Sequence, residues 1–147
     1  MDALVKWVKG WLRLTPHFIV GGVTNPYLKR WYILPRNRWF NIYLHQFLRD
    51  DDDRALHDHP SDNVSILLRG RYREHCRDGS YDRSVGDVVR RVADKPHRVQ
   101  LLTRTCWTLF VTGPRKRVWG FHCPKRWVPW QEFVDQNDSG NIGKGCG

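Results

Sequence analysis

The sequence predicts an all-β domain, a sandwich or barrel, preceded by a short N-terminal helix. From residue 31 onward, short runs rich in aromatic and β-branched side chains recur at even spacing. Gly, Pro and Asp separate these runs, and they are typical of turns. A chain of 147 residues is the length of one domain that can bury a core without disulfide support.

The N-terminal helix is predicted over residues 3–14. Its apolar residues recur at three- and four-residue spacing: Leu4, Trp7, Val8, Trp11 and Leu12. Such a helix could lie on a membrane surface or bind a partner. Its short length and Gly10 instead favour a helix that packs on the domain's own sheet.

The predicted strands cover most of the remaining chain. They span residues 31–34, 39–48, 63–68, 72–76, 81–85, 87–92, 98–102, 107–112 and 117–121. Residues 39–48 carry bulky side chains on both faces, as expected for a barrel wall. We therefore predict a helical extension over 1–20, a β-barrel domain over 21–135 that closes with a strand or short helix at 127–135, and a disordered, polar tail over 136–147.

Composition limits the partners and the compartment. Lys and Arg number 25 against 15 Asp and Glu, so the net charge of +10 favours an anionic partner. No cysteine pair has C-x-x-C spacing, and no apolar run is long enough to cross a membrane. We expect a cytoplasmic protein with reduced thiols, in which Cys106 and Cys123 are buried and inert. Asp50 to Asp53 predict a solvated acidic loop.

Three histidines form the candidate metal site. His57 and His59 are two residues apart, so in an extended segment both side chains point the same way. His97 follows a turn and begins a strand, where its ring can face inward as a third ligand. Imidazole nitrogen is a good ligand for first-row divalent metals. A pair of solvated loop histidines would give the same H-x-H pattern, so the third histidine carries the prediction.

The arrangement resembles the first motif of the cupin superfamily, in which H-x-H is followed by a Glu and then a Gly. His57 and His59 match the histidines, and Gly70 matches the glycine. Asn63 stands where the motif has Glu, with Asp62 beside it.

The second cupin motif begins with Gly-Asp and has a His after a turn that contains Pro. Gly86-Asp87 and Pro96-His97 match it, although the closing Asn is absent. The resemblance implies a double-stranded β-helix, or jelly-roll barrel, similar to small single-domain cupins encoded by phages or prophages. It also implies a divalent transition metal (Fe, Ni, Mn or Zn) on His57, His59 and His97, with water or a weak contact from Asn63 or Asp62.

Residues 71–75 supply candidates for catalysis. Gly70 can form a bulge that resets which side chains face the cavity. Either Tyr72 and Glu74 then point inward, or Arg71, Arg73 and His75 do. Tyr72, Arg73 and Glu74 are the catalytic candidates, because they offer a hydroxyl, an anion-binding guanidinium and a carboxylate.

The leading functional hypothesis is a metal-dependent enzyme, with an Fe(II) dioxygenase type of activity on a small anionic or thiol-bearing molecule. Thiol dioxygenases are among the cupins with three histidine ligands, and the resemblance therefore implies an activity of this type. A non-catalytic cupin that binds a small molecule or metal is the alternative. A third hypothesis, a nucleic-acid or partner-binding module, rests on the basic residues at 115–117 and 125–126. Eight Trp in 147 residues, among them Trp7, Trp11, Trp31 and Trp39, also predict a homodimer through an edge strand or the N-terminal helix.

Overall fold

The computed structural model describes residues 2–22, 24–51, 55–137 and 141–147. They form two helices and twelve short strands, all paired antiparallel. The helices are α1 (Ala3–Leu12) and α2 (Trp130–Phe133). The strands are β1 (Phe18–Val20), β2 (Leu28–Tyr32), β3 (Asn41–Phe47), β4 (Leu56–His57), β5 (Asn63–Arg69), β6 (Tyr72–Cys76), β7 (Gly79–Arg83), β8 (Val88–Arg91), β9 (His97–Leu101), β10 (Cys106–Thr112), β11 (Gly120–His122) and β12 (Trp127–Pro129).

The strands form two six-stranded sheets. Sheet one has the order β1-β2-β3-β10-β5-β8, and sheet two has the order β12-β11-β4-β9-β6-β7. From β3 to β11 the chain crosses repeatedly between the sheets and stays within one sheet only at the β6–β7 hairpin. This is a jelly-roll arrangement, which confirms the predicted all-β barrel with a short N-terminal helix.

Two apolar clusters support the barrel from different ends. One lies between β5, β6, β9 and β10 and contains Leu67, Tyr72, Val99 and Cys106. The other joins β11, β12 and α2 through Phe121, Val128, Phe133 and Val134. Between them the interior is polar, with buried Asn63, Ser65, Glu74, Arg91 and His97. Buried polar groups need partners, so this part of the interior is where a functional site is expected.

Helix α1 packs on sheet one, as predicted. The indole nitrogens of Trp7 and Trp11 both donate to the carbonyl oxygen of Tyr32, each at 2.7 Å. The Tyr32 ring stacks on His17, which also contacts the carbonyl of Trp7. Nowhere in the described part of the chain is a helix long and apolar enough to span a membrane.

The C-terminal segment differs from its prediction. Residues 141–147 were expected to be disordered, but Ile142 and Cys146 pack against the α2 cluster and Val134 pairs with Ile142. Cys123, expected to be a buried free thiol, forms a disulfide with Cys146. The polar composition of the segment does not reveal this packing, because the contacts of Ile142 and Cys146 are enough to hold it against the domain. Residues 127–135, predicted as a strand or a helix, contain both β12 and α2.

Candidate metal centre

His57, His59 and His97 lie together on the inner side of sheet two. His57 in β4 is paired directly with His97 in β9. The ring centroids are 5.2 Å apart for His57 and His59, 4.8 Å for His57 and His97, and 4.9 Å for His59 and His97. One nitrogen of each ring lies within 4.8 Å of the others. The structure thus brings together the three histidines that the spacing singled out.

Asp58 explains why His57 and His59 share one direction. It lies between them, points to the opposite side, and is completely buried. Its carboxylate accepts hydrogen bonds from the Gly120 backbone at 2.8 Å, His122 at 2.8 Å and Trp127 at 3.0 Å, and it pairs with Arg117 at 2.6 Å. Burial raises the pKa of Asp58, but these hydrogen bonds, led by that of Arg117, lower it overall. An ionised Asp58 therefore fixes the segment that presents the two histidines.

Glu74 orients the third histidine. Its Oε1 accepts from Nδ1 of His97 at 2.8 Å and from Nε of Arg91 at 2.6 Å, while its Oε2 accepts from Nε of Arg83 at 2.9 Å. Burial raises the pKa of Glu74, but the contacts with His97 and Arg91 outweigh it and hold the pKa well below its ordinary value. An ionised carboxylate can only accept, so Nδ1 of His97 carries the proton and Nε2 keeps its lone pair. A carboxylate behind a histidine is the usual support of a metal-binding imidazole.

Burial holds two of the imidazoles, those of His59 and His97, in the neutral form that a metal ligand needs. Burial lowers the pKa of His97 to about 3, against the opposing effect of its hydrogen bond to Glu74. Burial also lowers the pKa of His59 well below 6.5, and the charges of His97, His57, Arg91 and Arg30 add to the shift.

The donor set fits a divalent transition metal. Nδ1 of His59 is a buried nitrogen without a hydrogen-bond partner, which is costly unless another group binds there. His57 has Asp51 behind it, with Nδ1 of the ring 3.6 Å from Oδ2 of the carboxylate. Three imidazole nitrogens suit Fe, Ni, Mn or Zn. Nitrogens that bind one metal at about 2.1 Å lie at most about 4.2 Å apart, and the three ring nitrogens here lie within 4.8 Å of one another.

The other sequence-predicted residues divide between the interior and the surface. Tyr72 and Glu74 point inward, and Arg73 does not: it is exposed on the outer side of β6, where its Nε donates to Asp82 at 2.7 Å. Arg73 is therefore no longer a candidate for the cavity. The parity reset at Gly70 is confirmed, since Gly70 has a positive φ of 86° and the β10–β5 pairing shifts register beside it.

Asn63 and Asp62 are engaged away from the three histidines. The amide of Asn63 donates to the carbonyl of Ser61 at 3.3 Å, and its oxygen faces Arg91 at 3.4 Å. Asp62 is at the surface, where its carboxylate accepts from the Ala93 backbone and from Lys116. That Asn63 or Asp62 is an additional metal ligand stays a prediction. The contacts of the two side chains do not support it.

Three functional groups escaped the sequence analysis. Arg91 is buried, whereas an Arg-Arg pair in the sequence is typical of a solvent-exposed strand. Because Val89 and Arg91 are two residues apart in one strand, their shared face could have predicted the burial. Asp51, assigned to a solvated loop, accepts from the Val99 backbone at 2.8 Å and supports His57. The rest of that acidic loop, residues 52–54, lies outside the described residues. The third group is Arg30, which lies on the inner face of sheet one and donates to His45, itself a residue that the sequence placed in the cavity wall.

Comparison with known proteins identifies the fold. No protein-family model matches the chain, and no curated protein matches it in sequence. Among solved structures it is similar to a putative mannose-6-phosphate isomerase from Ralstonia eutropha, with 17% identity, a TM-score of 0.55, and coverage of 63% of this chain and 90% of that one. KdgF from Halomonas sp. is similar with 15% identity, a TM-score of 0.53, and coverage of 67% and 95%.

A protein from Desulfitobacterium hafniense, described as a member of the cupin superfamily, is also similar. It has 17% identity, a TM-score of 0.52, and coverage of 63% of this chain and 83% of that one. At such low identity the likeness concerns the fold. Together with the two-sheet topology and the matched motifs, it shows that the chain has the double-stranded β-helix fold of the cupin superfamily.

Proposed function

We propose that this protein is a metal-dependent enzyme in which His57, His59 and His97 hold a divalent metal, with Fe(II) as the physiological ion. The observation that carries the proposal is the group of three converging imidazoles, one of them oriented by the buried carboxylate of Glu74. Burying polar and charged side chains lowers the stability of a fold. A cluster of them in the interior is therefore expected where a protein binds a ligand or catalyses a reaction.

The proposed reaction is of the dioxygenase type, on a small thiol-bearing or anionic molecule. A metal on three histidines supplies open coordination positions where a substrate and dioxygen can bind together. For a thiol, both atoms of dioxygen would be added to the sulfur, which converts a thiolate into a sulfinate without another reductant. The overall positive charge of the protein favours an anionic substrate.

The contacts of the nearby carboxylates support this reaction class over proton-transfer chemistry. Glu74 is held by Arg83, Arg91 and His97, and Asp51 by the Val99 backbone beside His57. A carboxylate with its lone pairs committed in this way orients its neighbours and is a poor general base. A reaction that needs only open metal positions suits such a site better than an isomerisation that needs a base.

The structural neighbours do not decide the reaction. One is named as a putative isomerase, and another, from Ruegeria pomeroyi, is named as the DMSP lyase DddQ, with 14% identity and a TM-score of 0.51. Their identities are too low to transfer an activity, so the reaction class rests on the site itself.

The test begins with elemental analysis of protein purified without added metal. We expect about one equivalent of a first-row transition metal, and metal-dependent oxygen consumption with a panel of small thiols. His97→Gln should abolish both, whereas His75→Gln should abolish neither, because the His75 ring faces outward between Ser80 and Gln100. Metal content unchanged by His97→Gln would overturn the proposal.

The alternative is a cupin that binds a small molecule or a metal without turnover. The contacts of the carboxylates also favour this alternative. Glu74 and Asp51 already accept hydrogen bonds from the protein, so neither is available as a base, and the site can bind a ligand without transforming it. Tight metal binding without oxygen consumption on any substrate of the panel would decide for this alternative.

A further inference from the structure

Helix α1 carries a row of apolar side chains that its packing on sheet one leaves exposed. Trp7 and Trp11 face the sheet, because their indole nitrogens donate to the carbonyl oxygen at the end of β2. Leu4, Val8 and Leu12 form a separate row at four-residue spacing, and all three are exposed, Leu12 by 78%. Single exposed apolar residues are ordinary on a protein surface, but a contiguous row on a docked helix marks a contact surface.

The loop between β2 and β3, residues 33–40, continues this apolar row. Ile33, its first residue, lines one shallow groove together with Val8 and Leu12. The carbonyl that anchors α1 belongs to Tyr32, the residue directly before the loop. Helix α1 and residues 33–40 therefore form one continuous surface, which we call the helix–loop surface.

The tip of the loop presents a tryptophan in a fixed position. Oδ1 of Asn37 accepts from the backbone nitrogens of Trp39 at 2.9 Å and Phe40 at 3.1 Å. Both rings are exposed, Trp39 by 62%. The guanidinium of Arg38 lies over the Trp39 ring, 4.3 Å from its centroid. An exposed Trp beside a cation suits the boundary between lipid headgroups and acyl chains, where Trp is enriched.

The charged side chains in this part of the chain are all positive. Residues 3–49 contain eight of the 25 Lys and Arg and none of the 15 Asp and Glu, so they supply most of the net charge of +10. On α1, the period of the helix groups Lys6, Lys9 and Arg13 on one side, next to the apolar row. The loop adds two exposed arginines. The helix–loop surface therefore combines an apolar row with a basic border, which is the pattern of a segment that lies on an anionic membrane.

We propose that the helix–loop surface binds an anionic lipid bilayer. Its apolar row and Trp39 enter the boundary of the acyl chains, and its basic side chains contact the phosphates of the headgroups. A second copy of this chain is a poorer occupant, because two such basic surfaces repel each other. A nucleic acid would meet the charges but would leave the aliphatic row unused. The inference goes beyond the proposed function and requires no metal.

The test is cosedimentation of the full-length protein with sucrose-loaded vesicles. One set consists of phosphatidylcholine alone, and the other contains an equal amount of phosphatidylglycerol. We expect binding to the anionic vesicles to be about 10-fold stronger or more, and to weaken as salt is added. Protein treated with a chelator should bind equally well, so a failure of the metal centre leaves this result unaffected.

Leu12→Gln tests the apolar row. Because the Leu12 side chain is 78% exposed, the fold should be kept, and binding to the anionic vesicles should fall about 10-fold. Val85→Gln is the matched control, since Val85 is also strongly exposed but lies just before β8, at the other edge of sheet one. It should bind like the wild type. Thermal unfolding checks that each variant is folded, and Leu4→Gln replaces Leu12→Gln if the latter is not.

Arg38→Gln tests the charge of the loop. It should lower binding to the anionic vesicles about 5-fold, which is the contribution of one cation near such a surface. Arg104→Gln removes the same charge at the opposite end of sheet one, where β10 begins beside Phe47, whereas β2 ends beside Tyr43. This control should bind like the wild type.

Three results would overturn the inference: equal binding to the two kinds of vesicle, no binding to either, or wild-type binding by a folded Leu12→Gln or Arg38→Gln protein. Sedimentation velocity of the same variants checks the competing occupant. A dimer that Leu12→Gln converts to a monomer, without any vesicle binding, would assign the surface to a second copy of the chain instead.

Discussion

Glu74 holds a demanding position in the interior, because it is an acidic residue with 1% exposure. It is stable there as an anion only because Arg91, Arg83 and the His97 ring all donate to it. A buried carboxylate with all its partners present lowers the free energy of unfolding little, whereas removing one partner lowers it strongly. It links stability and metal binding in a single side chain.

Replacing Glu74 by Gln should weaken metal binding and destabilise the fold. Metal affinity should fall about 10- to 100-fold, because His97 loses the charged acceptor that fixes its proton on Nδ1. The free energy of unfolding should fall by about 3 kcal/mol, because Arg91 stays buried without its counter-charge. Chelator competition and urea unfolding measure the two effects.

Arg73→Gln is the matched control for that experiment. It changes the adjacent residue, whose ion pair with Asp82 is exposed on the outer side of β6, and should leave metal affinity unchanged. A folded Glu74→Gln protein with wild-type metal affinity would show that Glu74 does not orient His97.

His45 predicts how stability depends on pH. Burial lowers its pKa well below 6.5, and the charge of Arg30 adds to the shift. In the unfolded chain His45 takes up a proton below pH 6.5, while in the folded protein it stays neutral and accepts from Arg30. Its stabilising effect is therefore complete above pH 6.5 and declines as the pH falls below it, by about 1.4 kcal/mol per pH unit at most.

We expect the metal-free wild type to lose more stability between about pH 7.5 and about pH 5.5 than His45→Gln does. Urea unfolding at both values gives the comparison. Other buried histidines contribute equally to both proteins, so the difference isolates His45. An identical decline in the two proteins would rule out this account.

At the scale of elements, the site depends on the short strand β4 and the residues after it. A two-residue strand has little pairing of its own. Asp58 compensates by tying this segment to β11 and β12 through Gly120, His122 and Trp127. The segment's position is thus set by side-chain contacts more than by sheet hydrogen bonds.

Asp58→Asn should destabilise the protein by about 2 kcal/mol and weaken metal binding, because it removes the charge that Arg117 and His122 face in a buried setting. Asp62→Asn is the control, with a comparable acid that lies at the surface beside Lys116. It should change neither property detectably. Thermal unfolding and metal titration of both variants provide the test, and equal effects would contradict it.

The sequence predicted most of the strands because their alternation was strong. Residues 63–68, 72–76 and 107–112 coincide closely with β5, β6 and β10. It missed β1 and β4, of three and two residues, because an alternating pattern is recognisable only over about four residues or more. Strands of that length exist only through neighbours that a local pattern cannot reveal.

The site was predictable where residue type alone carried the chemistry. His57, His59 and His97 were found because a metal requires such ligands and spacing places two of them together. Arg30 and Arg91 were missed because charged residues in strands are expected to face solvent, and Asp51 because it belongs to an acidic run that predicts a loop. Only the register shows which of them face the barrel, and the register depends on the bulge near Gly70 and on the strand order.

At the scale of the whole molecule, the outer face of sheet one remains apolar. Its partly exposed side chains lie in adjacent strands and in register: Leu44, Leu109, Ile66 and Val88 in one row, and Ile42, Val111 and Val64 in the next. The tryptophans that suggested a dimer are mostly used internally, since Trp7 and Trp11 bind Tyr32 and Trp31 stacks on Trp107. The sheet face is now the better basis for the predicted homodimer.

We expect Val88→Lys to shift the protein from dimer to monomer, because it places a charge at the β8 edge of this face, where Val88 is 64% exposed. Val85→Lys is the control, since Val85 is equally exposed but lies in the turn before β8. Sedimentation velocity over a range of concentrations measures the association. A wild type that stays monomeric at high concentration would refute the prediction.

The basic residues that suggested nucleic-acid binding are partly neutralised. Lys116 pairs with Asp62, Arg117 with Asp58, and Arg126 with Glu132. Nucleic-acid binding stays a prediction, with a weaker basis than the bare sequence offered. A steep loss of affinity with salt is the behaviour it requires.

The alternation of His57, Asp58 and His59 has a consequence for redesign. The residues that would hold the metal and the residue that secures their segment face opposite ways, so either histidine can be replaced without removing the contacts of Asp58. Cysteine or aspartate could replace either histidine while Asp58 keeps the backbone in place. One small scaffold could then present a series of ligand sets to different metals, and the preferences of each set could be compared on the same backbone.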